Sequence, residues 1–334
     1  MRFNSAQIQK IGKEIRSKVD GKTLFDEFSR GRYSTDASVY QIKPLGVVLP
    51  KDTNDVLNLM EYSQKNSVPL LARGGGSSQC GQTVGESVVL DYSKHQNKIL
   101  ELNVEEKYVW VQPGVVLDHL NDYLKPHGLW FPVDVSTSSR ATIGGMSANN
   151  SCGSRSLYYG NMVHNVLAIE AILDDGSIFN FDQINKNYLA TKNNQDRLYK
   201  IIDKFIDVRQ KVGSEIDANW PTTQRRVGGY NIDLIDPEGF NSSNLLVGSE
   251  GTLSLFNKIK LKLSEIPKNK ILGVCYFDNF HQAMELSKEI VKLKPTCVEL
   301  MDQNLLNLAK EIPMYAGGIK TVSYTHLRAH ETGR

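Results

Sequence analysis

Three consecutive glycines follow an apolar run in Val68-Pro69-Leu70-Leu71-Ala72-Arg73-Gly74-Gly75-Gly76, and Ser77, Ser78, Gln79, Cys80, Gly81, Gln82 and Thr83 complete the stretch. The apolar run has strand character. Glycine lacks a Cβ, so it reaches positive φ and lets another group approach the backbone closely. Successive N–H groups can then converge on one concavity that holds an anion such as a pyrophosphate. Two hydroxyls and an amide side chain add donors at the same place. A flexible surface turn is the competing reading, since Gly/Ser clusters often form one.

Two known phosphate-binding patterns do not fit. Gly76 to Thr83 has the P-loop spacing, but Gln82 stands where the lysine that reaches the β/γ-phosphates belongs. Glu86 to Asp91 also reads as strand, where a P-loop would continue into helix. A strand–turn–helix G-x-G-x-x-G unit is absent as well, so a dinucleotide bound here is not held in the Rossmann manner.

Composition narrows the class. The 334 residues suffice for one large domain or two ordinary ones. With 39 basic and 37 acidic residues the chain has no electrostatic footprint for nucleic acid. No apolar run of about 18 residues predicts a transmembrane segment. The N-terminus lacks a signal-peptide core. The expected location is the cytoplasm, or the inner face of the cytoplasmic membrane as a peripheral protein. Cys80, Cys152, Cys275 and Cys297 stand far apart, with no C-x-x-C pair. The histidines are equally scattered.

Periodicity organises the rest. Residues 1–30 read as an N-terminal helical segment. Lys51 to Asp55 offers an N-cap cluster for a helix carrying Val56, Leu59 and Met60. Strands are expected over 88–92, 99–104 and 108–111. Leu117, Leu120 and Leu124 line a helix that stops at Gly128. Residues 132–165 are Ser/Gly/Asn-rich with little period, the mark of a functional loop region. Strands at 166–173 and 177–181 flank an Asp174-Asp175-Gly176 hairpin turn. An amphipathic helix contains Leu198, Ile201, Ile202, Phe205 and Val208. A boundary falls near 266–268, followed by a β-α-β start over 271–301.

Small-residue clusters recur at Ala141-Thr142-Ile143-Gly144-Gly145-Met146-Ser147-Ala148-Asn149-Asn150 and at Gly248-Ser249-Glu250-Gly251-Thr252. The first suits a helix start that approaches an anion or a flat ring. Glycine-rich loops with anion-binding character, and no carboxylate cluster, favour a phosphate-bearing cofactor over three independent turns.

With Arg73 to Ser78, Val111 to Gly114, Pro132 to Thr137, Thr142 to Gly145 and Gly248 to Thr252 in this order, the chain resembles the PCMH-type FAD-binding domain of the vanillyl-alcohol oxidase superfamily. Phe28 to Tyr40 and Asn149 to Ser156 are similar to the bacterial FAD/iron–sulfur dehydrogenases of D-2-hydroxy acids such as D-lactate or D-2-hydroxyglutarate. The resemblance covers residues 25–320 and implies an α+β fold. Residues 31–266 would form a PCMH-type domain of two α/β subdomains, split near 132–150. Residues 267–321 would begin a substrate (cap) domain.

It also implies roles. Arg73, Gly74, Gly75, Gly76, Ser77, Ser78, Gly81 and Gln82 would wrap the pyrophosphate. Pro113 and Asp134 would flank the cofactor. Thr142, Gly144, Gly145, Asn149 and Ser154 would line phosphates, ribityl chain and flavin, with Tyr159 and Gly160 near the ring. Val166 and Ile169 would offer main-chain bonds to adenine, and Glu250 and Gly251 would close the ring side. Some relatives attach flavin through a histidine or cysteine. Ser77, Ser78 and Arg140 occupy those places here, so noncovalent FAD is expected.

The implied reaction oxidises the hydroxyl carbon of a small 2-hydroxy acid and hands electrons to a downstream acceptor. Arg155 and Arg225 are candidates for the substrate carboxylate, and Tyr230 and Asn231 for the flavin face. No catalytic base is assignable and no metal ligands are expected within this sequence. The resemblance places the iron–sulfur cluster in a C-terminal part beyond it. Residues 322–334 resemble translated sequencing-adapter sequence and read as a non-native tail on an N-terminal fragment. Oxidation of another alcohol or a sugar, and a noncatalytic nucleotide-binding module, remain open alternatives.

Overall fold

The computed structural model describes residues 3–191, 195–315 and 327–330, the last as backbone. Its first sheet follows from short β-branched runs joined by a helix. Gly46–Leu49, Val88–Asp91 and Leu70–Arg73 lie side by side in that order, all parallel, and Lys22–Leu24 joins antiparallel beside Gly46–Leu49. The crossover helix Thr53–Asn66 is capped by the Asp52 carboxylate and buries Val56, Leu59 and Tyr62 on one face. Ser67 ends it in the left-handed conformation. The N-terminal residues are part of this unit. Helix Ser5–Arg16 inserts Ile8, Ile11 and Ile15 among Val48, Val88 and Leu90. The predicted helical segment over 1–30 thus also supplies an edge strand. The turn before that strand is held by Asp55, whose buried carboxylate accepts from the amides of Asp20, Gly21 and Lys51 at 2.8, 2.9 and 2.7 Å.

The second sheet is antiparallel throughout, in the order Ile99–Asn103, Tyr108–Val111, Leu255–Lys262, Val166–Ile172, Ile178–Phe181. Its core combines Val109, Ile169, Ile259 and Leu261 with Leu117, Leu120 and Leu124 from helix Leu117–Leu124. The expected turn at Asp174-Asp175-Gly176 forms, with Gly176 at φ 81°. The chain passes between the sheets after Asp91, well before 132–150. That segment folds onto the second core through Phe131, Val133, Ala141 and Ile143 and becomes one wall of the crevice between the sheets. Apolar residues spaced irregularly among small ones hid this attachment.

A third cluster gathers Ile184, Ile202, Ile235 and Phe240 beside the long helix Arg197–Asn219. Beyond residue 266, Val274–Phe277, helix Phe280–Lys292, Glu299–Met301 and helix Gln303–Glu311 follow in turn. The two strands are not neighbours. Leu327–His330 lies between them and pairs antiparallel with both. Sequence reading places these four residues in the 322–334 tail. Ladder pairing uses main-chain groups alone, so their composition is no bar to it. The rest of the 322–334 tail lies outside the described residues.

Candidate functional site

The glycine loop leaves the C-terminal end of strand Leu70–Arg73 and crosses the crevice between the sheets. It rests directly on the second small-residue cluster. A Cβ on Gly74 would fall 2.0 Å from Thr142 Oγ1, and one on Gly75 would fall 2.2 Å from the Arg140 carbonyl oxygen. Close approach, not backbone conformation, is what these two positions demand. Gly76 has φ 63°, and its missing Cβ leaves room for the Arg73 guanidinium.

The Arg73 guanidinium is engaged by main-chain carbonyls of the protein. Its Nη1 donates to the carbonyls of Tyr33 and Thr83 at 3.3 and 3.1 Å, and Nη2 donates to Thr35 O at 2.8 Å. The guanidinium also stacks 5.3 Å from the Tyr33 ring centroid. Burial pulls its pKa below the usual arginine value. Arg73 therefore fastens the base of the loop to residues 33–35 and leaves the loop's amides exposed. Among the described residues, none accepts from the N–H of Gly75, Gly76, Ser77, Ser78 or Gln79. Consecutive open amides at a glycine turn form an anion-binding surface.

Helix Ile143–Ala148 behaves differently. The amides of Ile143, Gly144 and Gly145 donate to Val115 O, Pro113 O and Thr142 Oγ1 at 2.8, 2.8 and 3.4 Å. Its first turn is thus satisfied internally, and Gly144 is needed because a Cβ would lie 2.5 Å from Pro113 Cβ. The cluster shapes the wall, and the open donors come from the loop.

Loop and wall enclose a cavity of about 320 Å³. Of the residues singled out by sequence, Arg73 to Ser78, Gln82, Pro113, Thr142, Gly144, Gly145, Asn149, Glu250 and Gly251 line it. Gly81 stands just outside, at φ 82° against the Tyr40 ring. Glu250 spans the mouth. Its Oε1 accepts from Asn149 Nδ2 at 2.6 Å and Gln82 Nε2 at 3.3 Å, so one carboxylate joins loop and wall. Glu250 itself sits at φ 54°, between Gly248 and Gly251 at positive φ.

A second cavity of about 490 Å³ shares Val135, Asn149 and Ser151 with the first. Asp134, Ser154 and Arg225 line it, together with Cys152 and Glu299. Asp134 organises one side: its carboxylate accepts from Ser154 Oγ at 3.0 Å and Arg155 N at 3.1 Å and pairs with Arg155 Nε at 3.4 Å. Arg155 is further held over Trp130, 4.4 Å from the ring centroid, and Tyr159 meets that ring edge-on. Arg155 is therefore committed to structure. Arg225 is exposed, and its Nη2 lies 3.4 Å from Cys152 Sγ.

Other expected site residues lie away from both cavities. Val166 O accepts from Asn241 Nδ2 at 2.9 Å, and Val166 and Ile169 are buried strand residues paired with Leu261 and Ile259. Asn231 is buried and donates to Val247 O at 2.7 Å and Asn244 O at 3.2 Å. Tyr230 shares a 2.8 Å hydrogen bond with Thr252 Oγ1. Gly160 at φ 77° closes a short helix against His164. Sequence reading passed over Tyr92, Ser254, Leu255 and Phe256, which also line the first cavity. Residues in or beside a strand, such as these, carry no local signal of an adjoining crevice. Among the described residues no group of three or more His, Cys, Asp or Glu side chains could hold a metal ion. No helix among them is long and apolar enough to cross a membrane.

Residues 44–182 match the family model of the FAD binding domain. The chain is 35% identical over 301 residues to D-2-hydroxyglutarate dehydrogenase of Escherichia coli, covering 87% of this chain and 29% of that protein. The Haemophilus influenzae protein of the same name is also 35% identical, over 83% of this chain and 28% of the relative. Glycolate oxidase subunit GlcD of Bacillus subtilis is 29% identical, over 90% and 55%. The chain thus spans under a third of the length of the two dehydrogenases. An alkyldihydroxyacetonephosphate synthase structure superimposes with a TM-score of 0.66 at 18% identity, over 96% of this chain and 55% of that one, and shares the fold.

Proposed function

We propose that this chain, whose residues 44–182 match the family model of the FAD binding domain, is the cofactor-holding part of an FAD-dependent dehydrogenase that oxidises a small D-2-hydroxy acid to the 2-oxo acid. The observation that carries the reading is the crevice itself: open loop amides on one side, a glycine-smoothed wall on the other, and a polar cavity that shares Val135, Asn149 and Ser151 with it. The amides of residues 75–79 suit a pyrophosphate. Asn149, Gln82 and Glu250 form a polar rim that a bound dinucleotide would meet. When bound, FAD supplies the hydride acceptor for the substrate Cα, and the protein supplies orientation and electrostatics.

Arg225 is the side chain best placed to meet a substrate carboxylate, since its guanidinium borders the second cavity without a carboxylate partner of its own among the described residues. No histidine lines either cavity among the described residues. The base that takes the hydroxyl proton is therefore not proposed from this chain. D-2-hydroxyglutarate and D-lactate are the candidate substrates, named by relatives. Electrons would leave to a downstream acceptor, and any iron–sulfur cluster would be carried by further sequence.

The test is spectroscopic. Purified chain mixed with FAD and desalted should retain flavin absorption, and acid precipitation should release the colour into the supernatant because attachment is noncovalent. Retention of no flavin would refute the reading; colour in the pellet would refute the mode of attachment. Anaerobic addition of D-lactate or D-2-hydroxyglutarate to a version extended to the relatives' length should bleach the flavin, whereas bleaching by sugars or simple alcohols alone would overturn the substrate class.

A further inference from the structure

Between helix Arg197–Asn219 and the buried Asn231, residues 221–230 form neither helix nor strand. All of them except Arg226 are exposed. Among the described residues, no amide of this segment donates to a main-chain carbonyl, and of its carbonyls only that of Tyr230 accepts from a main-chain amide. Side chains fasten it instead. Gln224 Nε2 donates to Leu157 O at 2.7 Å, and Asn161 Nδ2 reaches Arg226 O at 3.5 Å. Arg226 pairs with Asp233 and stacks 5.5 Å from the Trp220 ring centroid. Side-chain bonds at a surface are weak because water competes for both partners. A stretch held in this way opens far more readily than a strand or helix.

The three residues 225–227 alternate. Arg225 and Val227 line the second cavity, while Arg226 between them turns to Asp233 and Trp220. Neighbouring side chains of an extended chain face opposite ways, so one face covers the cavity and the other carries the tie. On the covering face Arg225 Nη2 lies 3.4 Å from Cys152 Sγ, and Cys152 is a partly buried residue of the cavity lining. Gly228 and Gly229 follow. Gly229 has φ 79°, and a Cβ on either glycine would meet nothing within 4 Å. Backbone freedom, not close packing, is what glycine supplies here. Immediately beyond, the Tyr230 hydroxyl bonds Thr252 Oγ1, and Asn231 donates to Val247 O and Asn244 O. A free joint beside a fixed anchor has the form of a hinge. The glycine loop of the first cavity has no such freedom, because Gly74 and Gly75 are seated on Thr142 and Arg140.

We propose that residues 221–229 form a hinged strap over the second cavity, bending at Gly228-Gly229 and latched shut by the Arg226–Asp233 pair. The structure holds the closed form, with Arg225 laid over Cys152. Release of the latch frees the face opposite the cavity, and Arg225 and Val227 then leave the cavity together and uncover the thiol. The strap stands apart from the FAD reading, since nothing in its anchoring involves the first cavity's loop amides. Combined with the function proposed above, it would admit a small acid to the second cavity and bring Arg225 over it on closing. Arg226 and Asp233 would then be positioning residues that never touch the substrate.

The experiment labels the full chain with N-ethylmaleimide and follows Cys80, Cys152 and Cys297 separately by peptide mass spectrometry, in wild type, Asp233→Asn, Arg226→Gln and Arg226→Lys. Cys80 is exposed and Cys297 is fully buried, so they report reagent strength and general unfolding. Asp233→Asn and Arg226→Gln remove the charge pair and should each raise Cys152 labelling at least threefold, with Cys80 unchanged and Cys297 protected. Trypsin should cut after Arg225 faster in Asp233→Asn by a similar factor, because cleavage follows the population of the detached form. Arg226→Lys keeps the charge and should stay closer to wild type than Arg226→Gln. An unchanged Cys152 rate in both charge-removing variants would overturn the latch, as would equal rates in Arg226→Lys and Arg226→Gln. Cys297 labelling that rises in step with Cys152 would mean that the thiol is reached only by general unfolding, and would overturn the strap itself.

Discussion

Gly75→Ala is the sharpest probe of the crevice. The added Cβ would lie 2.2 Å from Arg140 O and 3.0 Å from its carbonyl carbon. Ordinary contact begins near 3.4 Å, so the fit falls short by about 1.2 Å, and the obstacle is backbone that cannot rotate away. Loop and wall must separate. Overpacking of this kind costs about 1–3 kcal/mol. Because the displaced segment carries the open amides, FAD affinity should also fall at least tenfold, or about 1.4 kcal/mol. Gly85→Ala is the control: its Cβ would meet nothing closer than 3.6 Å, and stability should stay within about 0.5 kcal/mol of wild type. Gly74→Ala differs in kind, since the nearest atom is the Thr142 hydroxyl. Thr142→Ala should rescue Gly74→Ala and leave Gly75→Ala unrescued in a double-mutant cycle. Urea melts and flavin titrations read both effects. If Gly75→Ala melts and binds FAD like Gly85→Ala, the close packing of the two segments is not what shapes the site.

Three further outcomes follow from the geometry. Burial, then the nearby Arg226 guanidinium, holds His164 below its ordinary 6.5. The unfolded chain therefore binds the proton first, stability declines as pH falls below 6.5, and His164→Gln should flatten that decline in urea melts; an unchanged pH profile would count against it. Tyr33 donates to Asp91 Oδ2 at 2.6 Å in a half-buried setting, so Tyr33→Phe should lose about 1–2 kcal/mol in the same assay, and a neutral result would contradict the bond. Glu250→Ala should cost less than about 1 kcal/mol of stability because its bonds are exposed, yet speed FAD release measured by dilution; a larger loss of stability with unchanged release would reverse that assignment.

The legible part of this molecule was the part where a residue type has few alternative uses. Glycine triplets and Thr-x-Gly-Gly have little reason to exist beyond close approach, and they meet at the crevice as their chemistry suggests. The roles within that meeting were less legible. Thr142 and the amides after it read as anion donors, but Val115 and Pro113 carbonyls, distant in sequence pattern, consume them. Arg73 beside a glycine loop suggests phosphate contact, yet three carbonyls from 33, 35 and 83 claim its guanidinium. Such partners are chosen by tertiary packing and leave no local periodicity. Tyr92 and Ser254 were missed for the opposite reason: a tyrosine after a strand and a serine before one are unremarkable until the sheets are set side by side.

The place of Leu255–Lys262 in the second sheet sets a timetable for biogenesis. It is the last of the five strands to be synthesised and the middle one in space, between Tyr108–Val111 and Val166–Ile172. Until it emerges from the ribosome, two hairpins wait with bare inner edges, separated by a gap that only one late segment can fill. Contacts of such long sequence separation are slow to form and leave the nascent chain open to aggregation. Chaperone demand should thus peak during translation of residues 182–262, and the crevice walls can take their final spacing only after that span is complete.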